Sequence, residues 1–441
     1  MILINKLKLF LKKKLFYIFI VLAMVLFTIY VKSFNFYLQL ILIFIFLYFV
    51  VLSILISKRY SEVSRSEPFP KTPPKVAVVT YAYNNWKPVK YTLEQLKKLE
   101  YPIPYNIYVI TDGTCEFLKN DKSVTQIIID KKYFSVNGNR KSIIMNQGLK
   151  KIKEELIFGV DGDTIPEKDA LLKMVPSLKD DVGMVVGVMG VTNKKKFIEK
   201  LQTIEYTFSF GLPRMVLTAM GSLDIGTGAM CLLNKKIFDS VGGYDEENIT
   251  EDKEIAYKFI EKGYKIHFVV DAKAKTEVPS TWKSYFIQRL RWARGGFDTN
   301  NKYLNFLFNK HLGIFGFFLP YNLGVMILSM MLVFRTVYYL LYDFFITTYY
   351  NLSNIIIYGI NLSDFSFNFS FFNISSLIII LLVSLSISVY FMSLSFGYTD
   401  FKLDISYFLP MLFFLSVYGF IIIFMYIIGV VYELIGVKQK W

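Results

Sequence analysis

The chain has 441 residues, 54% hydrophobic and 17% aromatic, too apolar for an ordinary soluble protein and long enough for two or three domains. Its formal charge of +15 comes without a nucleic-acid motif or a basic tail, so the expected partners are anionic headgroups and a phosphorylated substrate, not nucleic acid. Two cysteines (Cys115, Cys231) and two histidines (His267, His311) exclude a disulfide framework and a zinc cluster.

Residues 1–60 read as a transmembrane hairpin. A lysine-rich start precedes an apolar run over 15–31, and a short polar break leads into a second run over 36–56, each long enough to cross a bilayer. Lys6, Lys8 and Lys12 before the hairpin, with Lys58 and Arg59 after it, put both flanks in the cytoplasm. Residues 61–75 carry Pro68, Pro70, Pro73 and Pro74 and form a stiff linker.

From residue 76 short β-branched runs (76–80, 107–111, 126–129, 156–160, 184–189) alternate with helical stretches such as 89–99 and 142–153. That alternation predicts an α/β domain over 76–310 with a mostly parallel, Rossmann-like sheet covered on both faces, the domain ending in an amphipathic helix at the membrane interface. Residues 311–441 hold three or four further spans, over 312–333, 375–396 and 408–432, with 336–346 either a continuation or a span of its own. Asn-x-Ser triplets at Asn351, Asn361, Asn368 and Asn373 fit an extracytoplasmic loop over 351–373.

The chemistry is expected at strand ends, because ligands of such sheets gather at the carboxyl edge. The apolar run 156–160 stops at Asp161-Gly162-Asp163, two acids suited to a hard divalent cation, Mg²⁺ or Mn²⁺, bound with substrate phosphates. The first run leads into Tyr81-Ala82-Tyr83-Asn84-Asn85, the second ends in Thr111-Asp112-Gly113, and Asn139-Arg140-Lys141 opens a helix. Downstream come Gln202-Thr203-Ile204-Glu205-Tyr206, Gly226-Thr227-Gly228-Ala229-Met230, Gly242-Gly243-Tyr244-Asp245-Glu246, Thr250-Glu251-Asp252 and Gln288-Arg289-Leu290-Arg291-Trp292. In that order these motifs resemble the family 2 glycosyltransferases of the GT-A fold, whose membrane-embedded members include hyaluronan, chitin and cellulose synthases.

The resemblance implies a nucleotide-sugar donor, a UDP-sugar by the common pattern, and a cytoplasmic active site on an integral membrane protein. Tyr83 would present its ring to the base, and Asp112 an acceptor to base or ribose. Lys141 would neutralise phosphate, Asp161 would bind the nucleotide side, Asp163 the metal, and Arg291 the diphosphate oxygens. Asp252 would be the general base, with Gly228, Glu251, Gln288 and Trp292 on the acceptor side. A helical projection of 282–293 puts Trp282, Phe286, Leu290 and Ala293 on an apolar face and Gln288, Arg291 and Trp292 on the opposite one. Thr250, Glu251 and Asp252 also suit the start of a helix over 254–262 as cap and first-turn acids.

The pattern departs from the family twice. Tyr81 and Asn85 stand where a proline and an acid are usual, and Thr111 precedes Asp112 where a second aspartate is usual. The expected activity is inverting transfer to a growing polysaccharide. The alternatives are single-sugar transfer to a membrane lipid, as in ceramide glucosyltransferases, and a membrane scaffold without turnover.

Overall fold

The computed structural model describes residues 15–27, 68–82, 87–113, 116–118, 121–134, 139–358, 389–390, 392–397, 399, 401–402 and 404–437. The expected span over 36–56, most of that over 375–396, and the triplets at Asn361, Asn368 and Asn373 lie outside these residues. The chain divides into two compact units. One comprises Leu52–Pro320 with Phe391–Val417, the other Met1–Val51 with Tyr321–Tyr390 and Tyr418–Trp441.

The first unit is built on eight strands: β1 (Val76–Ala82), β2 (Asn106–Thr111), β3 (Val124–Ile128), β4 (Leu156–Asp161), β5 (Thr164–Pro166), β6 (Val182–Val191), β7 (Met230–Asn234) and β8 (Lys265–Thr276). They form one sheet in the order β3-β2-β1-β4-β7-β6-β8-β5. The expected runs are β1 to β4 and β6, apolar throughout where helices cover both faces. All but the last residue of β4 are buried.

The sheet is mixed. β1 pairs in parallel with β2 and β4, β2 with β3, and β6 with β8, but β7 runs antiparallel to both β4 and β6. β7 follows the glycine motif at 226–230, which turns the chain back beside β4 and carries that motif to the same edge as Asp161. The sheet also curls. Between Asp161 and Thr164 the chain can reach only about 10 Å, whereas the four strand steps from β4 to β5 would take about 19 Å in a flat sheet. Gly187 permits part of this, since a Cβ there would overlap Ala272, where the β6–β8 register slips.

The helices used below are α1 (Leu15–Phe27), α2 (Lys87–Leu96), α3 (Arg140–Leu149), α4 (Phe197–Ser209), α5 (Glu251–Glu261), α6 (Trp282–Lys302), α7 (Phe315–Tyr358), α8 (Phe408–Phe413) and α9 (Gly419–Ile435). Residues 391–417 add a small core of their own to the first unit. There Met392 and Tyr407 pack with Ile204 of α4, flanked by Phe208, Phe401 and Met411. The expected break at 336–346 is a continuation of one helix, α7, and Asn351 lies inside that helix instead of in a loop. Two stretches, Phe315–Tyr350 and Ile405–Ile435, are long and apolar enough to cross a membrane; α1 is shorter.

Candidate active site

At the carboxyl edge of β1 and β4 the chain brings together an ammonium and three carboxylates. Asp161 ends β4, and its N–H donates to Ala229 O at 3.0 Å, tying it to the glycine motif. α3 is capped by Asn139, whose side-chain oxygen accepts the Ser142 N–H at 3.3 Å. That cap sets Lys141 in the first turn, with its ammonium 2.9 Å from Asp161 Oδ1 and 2.9 Å from Glu251 Oε1. Asn139 also donates to Asn248 O at 2.8 Å. Asn146, farther along α3, donates to Tyr244 O and accepts the Tyr244 N–H, both at 2.9 Å. α3 is thereby stitched to residues 244–251, and the acids at the head of α5 are placed by it.

Asp252 follows Glu251 on α5. Its Oδ2 accepts the Gly228 N–H at 3.2 Å. A Cβ at Gly228 would sit 3.5 Å from Lys141 Nζ and 3.6 Å from Asp252 Oδ2, so this glycine floors the space between ammonium and acid. Gly226 is required by closeness: its N–H donates to Asp252 O at 3.1 Å, and a Cβ there would come within 2.7 Å of the same oxygen. Thr250 stands at the N-cap position of α5, but its hydroxyl donates to Asn248 Oδ1 at 3.0 Å instead of capping the helix.

Burial raises the Asp252 carboxyl above the usual range, and the charge of Glu251 raises it further. Asp161 is also raised by burial, with Lys141 opposing. Glu251 goes the other way: burial pushes it up, but the charge and hydrogen bond of Lys141 outweigh that and hold it below the usual value. Lys141 itself, penalised by burial, is held well above an ordinary lysine by Asp161 and Glu251. The Arg291 guanidinium also acts on Glu251 and Asp252, so the carboxylates meet an ammonium and a guanidinium before any ligand enters.

Asp163 is exposed just beyond β4, its Oδ1 3.4 Å from the hydroxyls of Thr164 and Thr276. Among the described residues no group of three His, Cys, Asp or Glu side chains stands ready to hold a metal ion. The donor set fits a hard divalent cation only as the family pattern would have it, with one carboxylate and oxygens of a bound diphosphate. Asp112 is half-buried after β2, in a turn pinned by Thr111 Oγ1 donating to Gly113 O at 2.7 Å. Tyr83 lies outside the described residues.

α6 supplies the remaining groups. Arg291 Nη1 donates to Ile249 O at 3.3 Å, beside the head of α5. Gln288 is half-buried and Trp292 remains 38% exposed. The projected apolar face is buried in part: Ala293 is buried and Phe286 and Leu290 half-buried, but Trp282 is 38% exposed, and the most buried stripe is turned slightly round the helix, through Tyr285, Arg289, Ala293 and Phe297. An arginine can lie in that stripe because Glu205 of α4 pairs with it, and its guanidinium stacks 4.9 Å from the Tyr285 ring and 4.1 Å from that of Trp292. Sequence reasoning assigned Glu205 and Arg289 no role, although each sits inside a quoted motif and their opposite charges were the available signal. Gly295 was also missed; a Cβ there would overlap the Thr250 side chain, so this glycine lets α6 close on the head of α5.

Solved structures place the fold. The chain aligns over 83% of its length with all of a mannosyltransferase from Pyrobaculum calidifontis solved in complex with GDP-Man and Mn²⁺, at a TM-score of 0.51 and 14% identity, which defines an α/β GT-A-like fold. The family model "Glycosyltransferase like family 2" matches residues 73–295, and the chain belongs to that family. It is 31% identical over 223 residues to the poly-beta-1,6-N-acetyl-D-glucosamine synthase of Staphylococcus aureus (strain COL), covering 49% of this chain and 53% of the relative. The enzyme of the same description from Staphylococcus epidermidis is 30% identical over 234 residues, covering 51% and 55%. The match thus spans about half the length of these curated relatives.

Proposed function

We propose that this protein is a membrane-embedded, metal-dependent inverting glycosyltransferase that extends a polysaccharide from a nucleotide-diphosphate sugar at the cytoplasmic face. The observation that carries it is the convergence of Lys141, Asp161, Glu251, Asp252 and Gly228 at one sheet edge, with Arg291 beside them. Similarity to the poly-beta-1,6-N-acetyl-D-glucosamine synthases supports a processive reaction and makes UDP-N-acetylglucosamine the first donor to try.

In this reading Asp161 and Asp112 hold the nucleotide side, with Tyr83 against the base. Arg291 faces the diphosphate. Lys141 orients Asp161 and Glu251 and adds positive potential next to the phosphates. Glu251, Gln288 and Trp292 shape the acceptor side with Gly228. Asp252 removes the proton from the acceptor hydroxyl as that oxygen attacks the anomeric carbon, and the nucleoside diphosphate leaves from the opposite face. Asp163 would hold a Mg²⁺ or Mn²⁺ ion, which stabilises negative charge on the departing diphosphate when bound.

The test is incubation of the full chain in membranes with radiolabelled nucleotide sugars and Mn²⁺ or Mg²⁺, followed by sizing of the product. A polymer ladder is expected. A single labelled lipid band would replace polymerisation by single transfer, and turnover unchanged in both Asp252→Asn and Asp163→Asn would remove the enzymatic reading.

A further inference from the structure

The helix Leu212–Ala219 lies in sequence between α4 and the glycine motif, and its first turn carries an arginine that no motif includes. Arg214 is buried, with its guanidinium carbon 3.8 Å from the centroid of the Phe210 ring. Covered on one face by that ring, the guanidinium bonds along its edge. Nη1 donates to the Thr227 hydroxyl at 2.7 Å.

Thr227 is the centre of Gly226-Thr227-Gly228, the segment that seats Asp252 at two points. The Gly226 N–H donates to Asp252 O, and the Gly228 N–H to Asp252 Oδ2. Arg214 therefore reaches the Asp252 carboxyl through one bonded residue and the amides on either side of it.

The helix that carries Arg214 is itself fixed at its start. Gly211, at the N-cap, has no side chain to offer, and the fully buried Ser395 takes that part, its Oγ accepting the Leu212 N–H at 3.2 Å. A Cβ on Gly211 would come within 2.5 Å of Ser395 Cβ, so the glycine is what admits the serine. The cap comes from residues 391–417, beyond the α/β domain in sequence but part of the same compact unit.

A buried guanidinium is tolerated where anions answer its charge. Burial lowers Arg214 to about 10, still charged at neutral pH, and the carboxylates of Asp252 and Asp224 act in the other direction. The Tyr206 phenol, raised to about 12 by burial, faces it as a neutral group. Asp224 is shared, with Oδ2 4.0 Å from Lys253 Nζ and 3.5 Å from the Tyr257 hydroxyl. Asp252 meets Glu251 on its own helix, Lys141 from α3 and Arg291 from α6, with the neutral phenol of Tyr244 and thiol of Cys231 nearby.

We propose that Arg214 is a positioning residue for Asp252, holding through Thr227 the two glycine amides that seat it and setting a fixed positive charge near its carboxylate. Burial and Glu251 both favour the protonated form of Asp252, and a third cation beside Lys141 and Arg291 works against them. This role presupposes the transfer reading above, with Asp252 as the base.

The test is the pH profile of transfer by the full chain in membranes, with UDP-N-acetylglucosamine and Mn²⁺. Arg214→Gln removes a positive charge near a carboxyl and so favours its protonated form. The acid limb of kcat/KM should move up by about one pH unit, with plateau kcat about ten-fold lower and donor KM little changed. Arg214→Lys should bring the limb back, since the charge returns, but not all of kcat, since an ammonium lacks the planar fork. Thr227→Val keeps the charge and loses the bonded hydroxyl, so kcat should fall about ten-fold with the limb in place. A limb unmoved in Arg214→Gln, or not restored by lysine, overturns the electrostatic part. Full kcat in Thr227→Val overturns the link through the glycine motif. If thermal unfolding shows that Arg214→Gln does not fold, Arg214→Lys and Thr227→Val decide, and wild-type kcat in both overturns the role. A wild type that transfers no sugar from this or any other labelled nucleotide sugar overturns the proposed function and this role with it, whereas an active wild type with unmoved limbs overturns the role of Arg214 alone.

Discussion

Asp252 and Glu251 are neighbours in sequence with opposite fates, and their difference is testable residue by residue. The Asp252 carboxyl is raised by burial and by Glu251. A carboxyl whose folded pKa exceeds its unfolded value opposes folding once ionised, so Asp252→Asn should raise the melting temperature while lowering kcat by about 10²–10⁴. In the proposed reading the ionised form is the base, so kcat/KM should fall as pH drops through that raised pKa, giving an acid limb above the range of an ordinary aspartate. Glu251 is depressed despite burial, chiefly by Lys141. Its ionised form stabilises the fold above the unfolded glutamate pKa, and that contribution is lost as pH falls through the lower folded value. Glu251→Gln should therefore lower the melting temperature at neutral pH and leave less of it to lose in acid. Thermal unfolding and initial rates of the two variants across pH decide both points, and equal Tm changes would contradict the assignment.

At the scale of elements, the contact of α6 with the head of α5 turns on one glycine of an adjacent pair. Alanine favours a helix interior over glycine by about 1 kcal/mol, yet at Gly295 the added carbon meets Thr250, and overpacking of that kind costs about 1–3 kcal/mol. Gly295→Ala should be destabilising and slow turnover by shifting Glu251 and Asp252. Gly296→Ala, whose Cβ would have only the Lys253 ammonium 3.9 Å away, should be neutral or stabilising, and denaturant unfolding of the pair checks the contrast.

The Glu205–Arg289 pair joins α4 to α6 in the same region. Arg289→Met alone leaves Glu205 uncompensated and should cost about 3 kcal/mol, with Glu205→Leu in the same chain recovering part of it. These contacts mark the limit of what the linear pattern carries. β1 to β4, β6 and the acids at their ends were legible because a buried strand must be an apolar run and its polar end must face ligand. β7 and β8 were not, since β7 starts on Met230, the last residue of the glycine motif, and β8 alternates buried and exposed positions with a register slip. The buried stripe of α6 was read without Arg289, because an arginine counts as polar until its partner, 84 positions away, is known.

For the whole molecule, the formal charge of +15 and the three carboxylates of the cleft act on a nucleotide donor in opposite directions. At long range a cationic protein attracts a nucleotide diphosphate, and that attraction fades as added salt shortens the Debye length from about 30 Å at 0.01 M to about 8 Å at physiological strength. In the proposed reading the donor at contact meets Asp161, Glu251 and Asp252, with Lys141 already shared between two of them. The ammonium that sequence alone offers to the phosphates is thus largely spent on carboxylates, and a diphosphate entering without a cation meets those carboxylates with Arg291 as the neighbouring guanidinium. Donor binding should accordingly need the divalent ion more than it needs the bulk charge. Chelation should weaken donor affinity at least about tenfold, or about 1.4 kcal/mol, with Asp163→Asn showing most of the same loss and little further response to chelator. Raising monovalent salt at saturating Mn²⁺ should produce a smaller, graded rise in donor KM. Isothermal titration of the donor with and without Mn²⁺, in wild type and Asp163→Asn, measures each effect. Metal-independent binding in the wild type would return Lys141 and Arg291 to the role of principal phosphate ligands.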